Sequence, residues 1–238
     1  MRGAGTADYY DRYWSADPPP QYEPGHELAA LLDRNAEPGA RVLDVGCGAG
    51  NSYAATIAAR AASYTGVDVS VAAVELARSS GLDATVIDDA ASLPFPDDHF
   101  DLAICIEVFE HLFEPHRAAA EIRRVLRPGG KLVASTPNSL YWRLRLDILA
   151  GHWNPLGDDL SGEEPWRDPH IRFFGPDTLA RMLRSAGYAR VEVGAHGGRF
   201  LDHLTGRPTD FGQSRLYGAL EVRFPALLGA TLQALAVK

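Results

Sequence analysis

A chain of 238 residues with 46% hydrophobic content is long enough to bury one sizeable core. Its 23 basic and 31 acidic residues leave a net charge of −8, which argues against a general affinity for nucleic-acid phosphates and for a small or membrane-associated partner. Its 2 cysteines, Cys47 and Cys105, allow no disulfide framework and read as small buried hydrophobes of a reducing, cytoplasmic protein.

In chain order, Tyr9-Tyr10-Asp11-Arg12-Tyr13-Trp14 is an aromatic run. Asp17-Pro18-Pro19-Pro20 predicts a stiff connector. Residues 27–34 carry apolar side chains at helical spacing, and Glu37-Pro38-Gly39 breaks that pattern. Val42-Leu43-Asp44-Val45 is a strand that runs into Gly46-Cys47-Gly48-Ala49-Gly50. Helices are predicted over 51–60 and 71–79, on either side of a second strand that ends at Asp68. A third strand, Ala84 to Ile87, leads into Asp88-Asp89-Ala90, and a fourth spans Phe100 to Ile106. A helix over 118–126, a turn at Arg127-Pro128-Gly129-Gly130 and a strand over 131–135 follow.

Beyond Asn138 the pattern loosens. Residues 141–149 are amphipathic and arginine-rich, and 152–172 form a polar stretch containing Pro155, Pro165 and Pro169, the character of a lid or binding segment. A helix over 177–186 ends at Gly187, 189–193 forms a strand, and 231–238 forms the last one. The alternation of strands and helices predicts a doubly wound α/β fold. No signal segment is visible, and the apolar stretch around 224–237 is too short and interrupted to span a bilayer, so the expectation is a soluble protein without stable membrane insertion.

The glycine loop carries the chemical argument. Alternate glycines let the chain turn tightly and let a ligand approach the backbone. A dinucleotide loop needs G-x-G-x-x-G, but Asn51 stands at the third glycine position, which disfavours an NAD-dependent oxidoreductase. An acid before the turn suits a cationic ligand better than a pyrophosphate, and Asp68 lies near the ~20-residue offset at which a carboxylate meets ribose hydroxyls.

These segments resemble those of the class I S-adenosylmethionine (SAM) methyltransferases, whose first motif is an apolar strand followed by Asp/Glu-x-Gly-x-Gly-x-Gly. The resemblance implies a Rossmann-like seven-stranded sheet, mostly parallel with the last strand antiparallel, and SAM as cofactor with S-adenosylhomocysteine as product. It assigns the methionine end to Asp44, Cys47 and the Gly46, Gly48 and Gly50 loop, the ribose to Asp68, and the adenine to Val69, Asp89 and Ala90. Ile106 and Glu107 complete that set at the end of the fourth strand. The alternative for single acids at such turns is a capping or solvated carboxylate.

Glu107-Val108-Phe109-Glu110-His111 resembles the E-x-x-E-H segment of the ubiquinone-biosynthesis type of O-methyltransferase and its small-molecule relatives. His111 is either a general base or a residue that packs and fixes its loop. His170-Ile171-Arg172-Phe173-Phe174 resembles the H-x-R-x-F element of the same relatives, so His170 and Arg172 either meet the acceptor or pin the lid. Tyr13 and Trp142, with Trp153 and Trp166, supply aromatic surface for an apolar or ring-bearing acceptor. In family members the N-terminal segment folds over the cofactor. No metal-ligand spacing is present, and no metal is expected. Ser135-Thr136-Pro137-Asn138 departs from the N/D-P-P-Y/F sequence of base N-methylating enzymes. The expectation is one domain over 1–238, with a cover at 1–26, a SAM-binding core at 27–138, an acceptor-side insertion at 139–175 and a C-terminal part at 176–238. Methyl transfer to a hydroxyl oxygen of a small molecule is expected, with N- or C-methylation and non-catalytic SAM binding as alternatives. A homodimer is one possible assembly.

Overall fold

A computed structural model of the chain describes residues 4–15, 25–151, 170–197, 220 and 223–238. Seven strands form one sheet in the order β3-β2-β1-β4-β5-β7-β6. They are β1 Arg41–Val45, β2 Ser63–Asp68, β3 Ala84–Val86, β4 Phe100–Ile106, β5 Leu126–Pro137, β6 Arg190–His196 and β7 Thr231–Val237. All neighbouring pairs from β3 to β5 are parallel, and β7 runs antiparallel to both β5 and β6. This is the sheet that the resemblance implied.

Parallel strands covered on both faces should be apolar throughout, and β1 and β4 are buried along almost their whole length. Two apolar clusters lie on the two faces. One contains Leu28 and Leu32 of α2 (His26–Asn35), Ile57 of α3 (Ser52–Ala58) and Val74 of α4 (Val71–Ser79). The other takes Ala118, Ile122 and Val125 from α5 (Pro115–Val125). Their i, i+4, i+7 spacing makes one stripe, and burying Ile122 and Val125 contributes roughly 1.5–3 kcal/mol each. Proline at its first position suits α5, where a missing N–H costs no hydrogen bond.

Helix α6 spans Trp142–Leu149 and α7 spans Pro176–Ser185, with Gly187 just beyond it at φ +95°. A short α8, Pro225–Leu228, precedes β7. The N-terminal aromatic run lies on a helix, α1, Ala4–Trp14.

One predicted turn is absorbed into a strand. Leu126 pairs with Phe100 and Lys131 with Leu102, so residues 127–130 bulge opposite Asp101 within a continuous β5. Gly129, at φ +76°, permits the bulge, and strand pairing on both sides overrides the local turn signal. The predicted connector at 17–20 and nearly all of the 152–172 stretch, Trp153 and Trp166 included, lie outside the described residues.

Candidate active site

In a doubly wound sheet, ligands bind beyond the carboxyl ends of the strands, where the order reverses. Here β1 and β4 are adjacent while the chain between them goes out to β2 and β3, so the loops after β1, β2 and β4 meet. Asp44, Asp68 and Glu107 lie at those three places.

Asp68 organises the glycine loop. Its Oδ2 accepts from the Gly48 amide at 3.0 Å and its Oδ1 from the Ser70 amide at 2.9 Å. Burial pushes its carboxyl upward and the amides oppose that shift. The Gly46 and Cys47 amides both donate to the Val67 carbonyl, at 2.8 and 3.1 Å. The loop therefore spends the Gly46 and Gly48 donors on the protein, where the sequence suggested groups aimed at a ligand. Its Cα faces are covered by side chains of the protein itself. A Cβ on Gly48 would lie 2.5 Å from the Trp14 ring, and one on Gly46 would lie 2.4 Å from Val108 Cγ2. Both glycines have positive φ, so no other residue fits without strain.

Asp44 is wholly buried beneath this loop, and its carboxylate accepts from the Tyr64 hydroxyl at 2.7 Å and the Tyr53 hydroxyl at 3.5 Å. Desolvation outweighs those bonds and pushes its pKa up to about 7. Cys47 turns its thiol into the core against Gly66, the bland reading of that residue. Asp89 is exposed and caps its own turn by accepting from the Ala91 amide at 2.9 Å, while Ala90 is buried and Val69 packs at the core margin.

At the end of β4, Ile106 is buried and Glu107 adopts φ +54°, a strained conformation for a residue with a side chain. Its carboxylate accepts from Ser135 Oγ at 2.6 Å. The next turn, Phe109–His111, presents Glu110 and His111. Burial raises both glutamates, and the neighbouring Glu107 raises Glu110 further, so Glu110 is held well above the usual carboxylate range, while bonds from Ser135 and Glu110 partly offset the rise at Glu107.

The segment at 170–172 docks here because the Ile171 and Arg172 amides both donate to the Glu110 carbonyl, at 2.9 and 3.0 Å. His170 consequently stacks on His111, with ring centroids 4.5 Å apart and planes 19° from parallel. Each Nε2 lies 3.9 Å from Glu110 Oε1. The ligand atoms of Glu110, His111 and His170 all lie within 4.8 Å of one another, a spacing that could also hold a cation. The sequence concealed that cluster because its members come from separate segments. Arg172 donates to the Phe113 carbonyl at 2.6 Å, which pins the segment to the loop after His111.

Helix α1 covers the site. Asp11 Oδ1 accepts from Ser70 Oγ at 2.6 Å and the Ala72 amide at 3.2 Å, placing a carboxylate on the N-terminus of α4. Tyr10 stands edge-on to His111 at 5.8 Å, and Trp14 lies on Gly48. Tyr13 is 45% exposed beside Trp14, whereas Trp142 is buried in a satellite cluster with Tyr141 and Leu144. The structure thus gives Trp142 a packing role where an acceptor surface was expected. Asp11, Glu110 and Tyr10 were absent from the sequence-derived set. Glu110 had a signal in E-x-x-E-H, while Asp11 had none beyond its place in the aromatic run.

A family described as a methyltransferase domain matches residues 20–193. The chain belongs to that family. It is similar to the ubiquinone biosynthesis O-methyltransferase of Hahella chejuensis, with 32% identity over 197 residues covering 78% of this chain and 79% of that one. It is also similar to that of Alkalilimnicola ehrlichii, with 36% identity, covering 74% and 72%. Among solved structures, Haemonchus contortus phosphoethanolamine N-methyltransferase 2, in complex with S-adenosylhomocysteine, matches at TM-score 0.66 and 18% identity, covering 98% of this chain and 60% of that one. This methyltransferase is a SAM-dependent enzyme with a Rossmann-like sheet. The site fits the cofactor, with an acid at each of three strand ends, a strained Glu107 where β4 meets them and an enclosed Tyr10 hydroxyl that has no hydrogen-bond partner among the described residues. No described helix is long and apolar enough to cross a membrane.

Proposed function

We propose that the enzyme methylates a hydroxyl oxygen of a small molecule, with the acceptor lying against His111 and His170. The observation that carries this reading is the stack of two half-buried imidazoles against the buried Glu110 carboxyl, next to the strand end that bears Glu107. The names of the similar curated O-methyltransferases support the same chemistry.

The residues that would hold the cofactor are Asp68, the Gly46 to Gly50 loop, Val69, Asp89, Ala90, Ile106 and Glu107, with Asp44 acting from below through the loop. When bound, SAM supplies an electrophilic methyl group on a sulfonium. His111 would accept the proton of an acceptor hydroxyl lying against its ring. Glu110 Oε1, 3.9 Å from the Nε2 of each ring, faces the resulting imidazolium, whose positive charge in turn favours ionisation of the Glu110 carboxyl. Tyr10 and Trp14 exclude water from the displacement, and alignment supplies most of the rate. Arg172 holds the His170 segment in place.

A cytoplasmic location is consistent with two buried free thiols. The test is incubation with SAM and a panel of phenols, catechols and aliphatic alcohols, with matched amines, followed by mass spectrometry of the products. Methyl ethers are the expected products. Methylated amines or carbon-methylated rings formed faster than any ether would overturn the reading.

A further inference from the structure

One enclosed polar group has no task in that chemistry. The Tyr10 hydroxyl oxygen is shut off from solvent and has no hydrogen-bond partner among the described residues. Its placement is nonetheless fixed. The ring stands edge-on to Tyr9 at 5.1 Å and to His111 at 5.8 Å, the next residue straps α1 to the start of α4, and Trp14 seats the following turn on Gly48.

A buried hydroxyl without a partner destabilises a fold relative to phenylalanine, which would fill the same space without the desolvated oxygen. Burial and the charges of Glu110 and Asp68 push its ionisation far above the ordinary tyrosine value, so it stays a neutral phenol with one hydrogen to donate. Those two acids mark its position, since Asp68 belongs to the cofactor side and Glu110 to the acceptor side. Both Asp68 oxygens already accept backbone amides, so the loop itself needs nothing from Tyr10.

We infer that the Tyr10 hydroxyl is a cofactor-binding group, donating its hydrogen to an oxygen of bound SAM and thereby closing α1 over the nucleoside. The helix then has two kinds of attachment: the Asp11 strap, present in the protein alone, and the Tyr10 contact, completed by the ligand. The inference is independent of which acceptor is methylated.

The test compares wild type with Tyr10→Phe by calorimetric titration with SAM and with S-adenosylhomocysteine, alongside thermal melting of the ligand-free proteins. The expected result is a ligand-free Tyr10→Phe that melts at the wild-type temperature or above it. Its affinity for both nucleosides should fall roughly 3- to 10-fold, the effect of one lost neutral hydrogen bond. SAM should also protect α1 from limited proteolysis in wild type more than in the variant. Unchanged affinity would overturn the inference. So would a ligand-free variant that melts lower, because the hydroxyl would then serve the fold. A wild-type protein that binds neither nucleoside would remove the cofactor assignment itself, an outcome visible before any variant is made.

Discussion

Tyr64 donates its phenolic hydrogen to Asp44 at 2.7 Å, in a floor beneath the glycine loop that solvent does not reach. The pair explains why an acid can stand in the middle of an apolar strand. It also ties the loop's stability to pH.

The folded-state pKa of Asp44, about 7, lies above its ordinary value of 3.8, so the native state holds the extra proton between those limits. Stability contributed by the protonated carboxyl is full below the lower limit and is lost as pH rises toward the upper one, at no more than about 1.4 kcal/mol per pH unit. Asp44→Asn cannot ionise. Urea unfolding of both proteins at several pH values should show the wild type losing ground to the variant between pH 4 and 7. A constant difference across that range would contradict the shift.

His196 provides a second dependence of opposite slope. It is buried at the end of β6, 3.7 Å from Glu27, and desolvation lowers its pKa below the ordinary 6.5 despite that carboxylate. The native state therefore prefers the neutral ring, and stability is lost as pH falls below 6.5 toward the folded value. His196→Leu should flatten this limb of the stability profile, measured by chemical denaturation between pH 5 and 8. A variant with the wild-type slope would assign the acid limb to other groups.

Asp68 holds the Gly48 and Ser70 amides and is among the residues proposed to hold the cofactor. Asp68→Ala should weaken SAM binding by about 10- to 100-fold, as expected for charge-assisted bonds of roughly 1.5–3 kcal/mol. Asp68→Asn should fall between the variant and wild type because it keeps one acceptor oxygen. Calorimetry decides the point, and wild-type affinity in Asp68→Ala would exclude the residue from the cofactor site.

His111→Ala should lower turnover by about 100- to 10,000-fold, the usual share of general-base catalysis, while SAM affinity stays at the wild-type level. His170→Ala should lower turnover less and shift the acid limb of the rate profile, since the stacked ring acts through His111. Dialysis against EDTA should leave turnover unchanged. Loss of turnover on chelation, restored by a divalent cation, would reassign the Glu110, His111 and His170 cluster to metal binding.

Asp11→Ala should release α1 from α4. The lost cap is expected to cost about 0.5–2 kcal/mol, and α1 should become the first site of limited proteolysis. Cleavage at the wild-type rate would show that Trp14 and Tyr10 suffice to seat the helix.

The order of elements was legible because its signals are local. Apolar periodicity marked α2, and glycine or proline marked the ends of α2 and α7, all within a few residues of one another. Asp68 was legible for a related reason, since the chain must travel one helix between β1 and β2 before an acid can return to the same edge. The bulge at 127–130 was not, because a turn signal there is outvoted by pairing with β4 on either side of it and with β7 from Lys131 onward.

The sequence by itself determined the βαβ order, the glycine loop and the acids that follow it, since each depends on backbone conformation over a short span. Only the tertiary structure decided which groups share the site. It stacked His170 on His111 through two amides on the Glu110 carbonyl, set Asp11 on the start of α4, and turned Asp44 and Trp142 inward. Those are contacts between distant segments, selected by burial and by the need to pair every enclosed polar group, and no local pattern encodes them.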